Sequence, residues 1–127
     1  MIRVKRVYET PVKEDGWRVL VDRLWPRGLT KNKARVDVWF KEIAPSDALR
    51  KKFHHEKLGW PEFERLYRAE LGTKEPELKA LKDLEREHGT LTLLFGAKDA
   101  DQNQAVVLAS LLKQGKGRAK SASAGKR

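Results

Sequence analysis

The sequence predicts an α/β protein: a small layered domain with a mixed, partly parallel central sheet flanked by helices. Three observations carry that prediction. Val19-Leu20-Val21 sets three aliphatic residues in a row, the mark of a strand buried on both faces. Leu91-Thr92-Leu93-Leu94-Phe95 does the same far downstream. Between them lie apolar stripes at helical spacing, so the second strand reaches the first only through a crossover, and crossovers make parallel pairs.

Each element has its own local signal. Ile2 and Val4 alternate with Arg3 and Lys5, then Val7-Tyr8 follows, giving a first strand with one wet face. Asp15-Gly16 suits a turn with positive φ. A second strand follows from Trp17 to Arg23, close enough for an antiparallel hairpin with the first. Val36, Val38 and Phe40 alternate with polar residues and Trp39, which predicts a third extended segment, although Val36, Trp39, Phe40 and Ile43 also fit a helix. Ser46 is a good helix cap with Asp47 in the first turn. Pro61 and Pro76 each suit the start of a further helix, and Gly72 and Gly89 suit the ends. Ala105, Leu108, Ala109 and Leu112 fall on one helical face and predict a last helix against the sheet.

With 127 residues the chain supports one domain, expected over 1–112. The net charge is +10, but Lys113, Lys116, Arg118, Lys120, Lys126 and Arg127 supply six of those charges, leaving +4 for residues 1–112. Residues 113–127 are Gly, Ser, Ala and basic residues, a composition expected to stay disordered and to attract nucleic acid weakly and without specificity. Cysteine is absent, which excludes disulfides, thiolate metal sites and a cysteine nucleophile. No apolar run approaches the ~20 residues of a membrane helix, and Met1-Ile2-Arg3-Val4-Lys5 enters a strand pattern at once. The expectation is a cytoplasmic protein with no signal peptide and no membrane partner.

Ligands in open α/β sheets bind outside the carboxyl ends of the strands. Asp22 to Gly28, Lys41 to Ser46 and Gly96 to Asn103 meet that description. They offer the cations Arg23, Arg27, Lys41 and Lys98, the acids Asp22, Glu42, Asp99 and Asp101, and helix starts whose amides favour an anion. The expected site is an anion or nucleotide pocket using Arg23, Trp25, Arg27, Lys41, Ser46, Lys98 and Asn103. Asp22 and Glu42 are the candidate carboxylates if the chemistry is hydrolysis or group transfer. Against these stand plain packing roles: Trp25 as core, Lys41-Glu42 as a surface pair, Arg27 stacked on Trp25. His54 and His55 point about 100° apart on a helix and make no joint metal site. His88 beside Gly89 is explained by the helix dipole. No metal or cofactor is implied, for there is no Gly-rich phosphate loop and no metal-ligand spacing. Rival readings are a nucleic-acid-binding or regulatory module using the basic surface and tail, and a protein-interaction domain without a small ligand.

The stretch Arg18-Val19-Leu20-Val21-Asp22-Arg23-Leu24-Trp25-Pro26-Arg27-Gly28 resembles the YeaO-like proteins of bacteria. So do Lys5-Arg6-Val7-Tyr8, Asp15-Gly16, Trp39, Lys41-Glu42, Ala44-Pro45-Ser46, Leu49-Arg50-Lys51, Phe53-His54, Leu91 to Leu94, Ala97-Lys98 and Asn103. The resemblance covers roughly residues 4–112 and implies a fold more than a function. Other branches of the larger group resemble Cys-Ala-Glu-Lys followed by Cys-His-Arg. Here Phe95 stands at the first Cys, and Asn103-Gln104-Ala105 stand at Cys-His-Arg. YeaO-like sequences often carry His after the Asn, and Gln104 replaces it, which removes an acid/base group. Lys98 and Asn103 match, so binding survives the comparison better than catalysis.

Overall fold

A strand with two apolar faces belongs at the centre of a sheet, and every residue of Leu91–Phe95 is buried. The computed structural model describes residues 1–118. It contains four strands, β1 (Ile2–Arg6), β2 (Trp17–Leu20), β3 (Val38–Trp39) and β4 (Leu91–Phe95), in the order β1-β4-β2-β3. All three pairings are parallel, with Ile2 opposite Leu91, Val19 opposite Leu93 and Leu20 opposite Trp39.

The α/β prediction holds, and the hairpin is corrected. The strands β1 and β2 do not touch, because β4 lies between them and takes the Trp17 and Val21 amides on its Thr90 and Leu94 carbonyls. The physical reason is burial: β4 excludes water from both its faces only in the middle. The chain from Val7 to Asp15 therefore crosses one face of the sheet instead of turning tightly. It returns through Gly16 at φ 64, where a Cβ would collide with the Thr90 carbonyl. The third extended segment is also shorter than expected. Val38–Trp39 alone pairs, and a 3-10 turn over Lys41–Ile43 takes the chain away.

Five helices follow the expected punctuation: α1 (Lys31–Ala34), α2 (Asp47–His55), α3 (Trp60–Leu71), α4 (Glu75–His88) and α5 (Gln104–Arg118). Ser46 caps α2 by accepting the Leu49 amide at 3.1 Å, and Pro61 and Pro76 sit in the first turns of α3 and α4. The last helix runs beyond Leu112 to Arg118, so the first residues of the predicted tail are helical. Residues 119–127, the rest of that tail, lie outside the described residues.

Strand alternation divides the core in two. Val19, Val21, Leu91, Leu93 and Phe95 meet the apolar sides of α2 to α5 on one face. Leu20 and Leu94 face the other way, where Val7, Ala34, Trp25, Leu29, Val36 and Trp39 cover them. Burying a side chain such as Leu93 or Phe95 is worth about 1.5–3 kcal/mol, and the two-sided burial fixes where β2 and β4 end. Those ends build the site.

Candidate functional site

Where β2 stops, Val21 is fully buried and the next residue is charged. Asp22 has nowhere to go but the upper edge of the core. Its Oδ2 accepts the Gly96 amide at 2.8 Å, directly after β4, and its Oδ1 accepts the side-chain amide of Gln104, from the first turn of α5. Its own carbonyl accepts the Trp39 indole N–H at 2.8 Å. A Cβ at Gly96 would lie 2.9 Å from Oδ2, so this close approach needs a glycine. Burial pushes the Asp22 carboxyl up to about 6, against the pull of the Gly96 and Gln104 N–H groups. Among the described residues no cation forms an ion pair with it.

Beside Asp22 lies a cavity of about 160 Å³. Leu24, Pro45, Phe53, Phe63 and Ala97 make its apolar wall, and Asp22, Arg23, Arg50, His54 and Gln104 make its polar part. Phe53 stacks on Phe63 at 4.3 Å, and Phe63 continues to Tyr67 at 5.8 Å, so the wall is braced from the core. Tyr67 donates to the Ile43 carbonyl at 2.6 Å, which fixes the segment carrying Pro45.

Two arginines line the cavity in different states. Arg23 is engaged: Nε donates to the Pro45 carbonyl at 3.0 Å and Nη2 to that of Ala44 at 3.3 Å, with Asp47 3.8 Å away. Arg50 reaches Asp47 through Nη2 at 3.5 Å, but its Nε is buried without a hydrogen-bond partner. His54, one turn further, is held below its ordinary pKa by burial, then by Arg50 and His55. It is the neutral imidazole at pH 7. A second cavity of about 280 Å³ holds Lys98, Asp99, Gln102 and Asn103. It shares Phe53, His54, Ala97 and Gln104 with the first, so the two form one continuous groove.

The structure thus brings Asp22 and Arg23 to the first cavity, and Lys98 and Asn103 to the second. Asn103 is buried there and caps α5: Oδ1 accepts the Val106 amide at 3.1 Å and Nδ2 donates to the Asp99 carbonyl at 2.8 Å. Both ends of its amide are in use, which is the work of a helix cap. The other candidates lie elsewhere. Trp25 belongs to the opposite face, where its indole donates to the Leu29 carbonyl at 2.6 Å and meets Trp39 edge-on at 5.4 Å. Arg27 is exposed, and its carbonyl, not its guanidinium, holds the Tyr8 hydroxyl at 2.8 Å. Lys41 sits 4.5 Å over the Trp39 ring. Glu42 is exposed and its carbonyl takes Lys74 at 2.5 Å. Ser46 caps α2 and also donates to Glu70 on α3 at 2.6 Å. One-dimensional nearness to a strand end grouped these residues, but the strand twist and the two faces separate them.

Reading from strand ends overlooked Arg50, Phe53 and Gln104 as site residues and weighed His54 only as a metal ligand. They sit on α2 and α5, which pack across the top of β2 and β4. A signal existed: Arg50, Phe53 and His54 are among the residues that carry the family resemblance, although helix packing alone would explain Phe53. Among the described residues no group of three or more His, Asp and Glu side chains is placed to hold a metal ion. No described helix is long and apolar enough to cross a membrane.

A family model described as the inactive DUF488-N3 subclade matches residues 1–126. The uncharacterised protein YeaO of Escherichia coli is 48% identical over 112 residues, covering 88% of this chain and 96% of the relative. The uncharacterised protein Rv3073c of Mycobacterium tuberculosis is 40% identical over 113 residues, covering 87% of this chain and 92% of the relative. The uncharacterised Mb3100c of Mycobacterium bovis matches to the same extent. No solved structure matches the chain. A match along nearly the whole chain, with the Asp22–Gly28 stretch at the edge of the site, shows that the chain belongs to the YeaO-like family, in the inactive DUF488-N3 subclade.

Proposed function

We propose that this protein binds a small cytoplasmic molecule carrying an anionic group, and that it binds without turning the molecule over. The observation that supports this most is the Arg50 guanidinium in the lining of the cavity at the strand ends, whose ion pair with Asp47 is a long 3.5 Å. An anion seated against that guanidinium gains charge-assisted hydrogen bonds, which are roughly twice as strong as neutral ones. Lys98 at the far end of the groove extends the cationic lining. Phosphate esters and mononucleotides are the first chemistry to try. The about 160 Å³ of the inner cavity is smaller than the ~300–1,000 Å³ of a drug-sized site, so a whole nucleotide would extend along the groove toward Lys98.

Binding is favoured over hydrolysis or group transfer for two reasons. Of the two candidate carboxylates only Asp22 lines the cavity, and both its oxygens are already held by N–H donors. Gln104, which cannot shuttle a proton at neutral pH, occupies the position beside it. The family's description as inactive agrees with that reading.

Ligand-induced stabilisation tests it. A ligand at 100 times its Kd stabilises the fold by about 2.7 kcal/mol, an upshift on the order of 10 °C for a domain of this size. Orthophosphate, phosphate esters, nucleoside monophosphates, small carboxylates and α-amino acids form the panel. At least one compound should raise the melting temperature, and Arg50→Met should abolish the rise. A flat panel, or a rise that survives Arg50→Met, would overturn the reading.

A further inference from the structure

The cavity has two polar poles of opposite sign, and this decides what kind of small molecule suits it. At one pole stands the Arg50 guanidinium, whose ion pair with Asp47 is 3.5 Å long. At the other, the Asp22 carboxylate accepts two N–H groups and no cation. An ionised carboxylate has about four acceptor positions, so two remain beyond the Gly96 and Gln104 donors. Arg23, its neighbour in sequence, does not neutralise it, since that guanidinium is directed to the Ala44 and Pro45 carbonyls and to Asp47. His54 is held neutral. A simple anion would satisfy Arg50 but would also bring negative charge beside an uncompensated carboxylate. A simple cation would do the reverse at Arg50.

We infer that the natural ligand is a compact zwitterion, an apolar α-amino acid, with its ammonium on Asp22, its carboxylate on Arg50 and its side chain against Phe53 and Phe63. The inference rests on the binding reading above and narrows its ligand class. The rest of the cavity agrees. Leu24, Pro45, Phe53, Phe63 and Ala97 offer an apolar wall to the ligand's side chain, and the volume of about 160 Å³ calls for a small body. An ammonium brings three donors, enough for both free acceptor positions on Asp22. The upward pull of burial on the Asp22 carboxyl fits a carboxylate that lacks its cation in the unliganded protein.

Titration calorimetry on the full chain at pH 7.5 separates the possibilities. The probes are L-leucine, N-acetyl-L-leucine (no ammonium), isopentylamine (no carboxylate), 4-methylpentanoate (an anion with the same apolar end) and orthophosphate. Leucine should bind, with the three organic analogues each at least tenfold weaker. Asp22→Asn should weaken leucine at least tenfold while 4-methylpentanoate, freed of the carboxylate's repulsion, binds at least as tightly as before. Arg50→Met should weaken leucine and 4-methylpentanoate together. Equal affinity for leucine and 4-methylpentanoate, or leucine binding indifferent to Asp22→Asn, would overturn the inference. Binding of orthophosphate or a phosphate ester without leucine would overturn it while leaving an anion site at Arg50. Silence from every probe would remove both readings. The wild-type comparisons stand even if a variant folds poorly.

Discussion

Two aspartates flank the same strand, one buried and one half-buried, and they are opposites. Asp15 lies just before β2 and Asp22 just after it. Asp15 is completely buried, yet it is fully compensated. Arg18 donates to it from within β2, Lys5 reaches it from β1 at 3.0 Å, and the Val12 amide donates at 3.1 Å. Burial pushes its carboxyl up, but the Val12 hydrogen bond, Lys5 and Arg18 together hold it below its ordinary value. Arg18 in turn donates through Nη2 to the Ala34 carbonyl and through Nε to the Arg35 carbonyl, at 2.8 and 2.9 Å. That cluster has its charges paired and each Arg18 nitrogen hydrogen-bonded, and it ties β1, β2 and the segment through α1 together. At Asp22 the charge has hydrogen bonds but no counter-ion among the described residues, and a cavity adjoins it. The difference teaches how to separate structure from function among buried charges. A completed network explains itself as architecture, whereas an incomplete one next to empty space calls for a ligand.

The contrast can be broken at several points. The largest effect belongs to Arg18→Met, which leaves Asp15 buried with Lys5 as its one cation and the Val12 amide as its other donor among the described residues. Removing one member of a buried pair costs about 3–5 kcal/mol, so chemical denaturation should show most of the stability gone. A loss below about 1 kcal/mol would mean that the cluster relaxes to solvent and is not the tie described here.

Asp22→Asn is predicted to act in the opposite direction. The carboxyl titrates near 6 when folded and near its ordinary value of 3.8 when unfolded. The folded state therefore binds more protons than the unfolded state between those values, and stability falls as pH rises through that window. Above it the ionised Asp22 weakens the fold by up to about 3 kcal/mol. An asparagine accepts the Gly96 amide and, with the Gln104 amide turned over, keeps the second contact. Its melting temperature at pH 7.5 should exceed that of the parent, and the fall between pH 4 and 6 should shrink. Asp15 has the reverse sign, since its lowered carboxyl adds stability that disappears only in acid. An Asp22→Asn protein less stable than the parent at pH 7.5 would place Asp22 with Asp15 as architecture.

The smallest effect sharpens the comparison from outside both clusters. Lys41→Met removes only a cation over the Trp39 ring, worth about 0.5–1 kcal/mol at an exposed site. Any ligand-induced rise in melting temperature should be unchanged in this variant. A lost rise would return Lys41 to the site.

Much of the fold was legible. The apolar runs at Val19-Leu20-Val21 and Leu91–Phe95 identified the two central strands, and Ser46, Pro61 and Pro76 marked three helix starts, because capping and proline stereochemistry act within one turn of chain. The pairing of β1 was not legible. A hairpin and a parallel crossover have similar local sequences, and the choice depends on β4, more than seventy residues away. The site was legible as a place but not as a residue set. Asp22 and Arg23 are there, yet Trp25 turns to the other face within three residues, following the strand and turn geometry.

Sequence by itself determined the α/β class, the strand centres, the helix caps and the charged break after Val21, since each depends on residues a few positions apart. Only the tertiary structure decided that β4 separates β1 from β2 and that Asp15 is neutralised while Asp22 is not. Only it could seat Arg50, Phe53 and Gln104 around Asp22. The reason is that a charge is compensated by what is near it in space, and those neighbours come from helices folded over the sheet from distant parts of the chain.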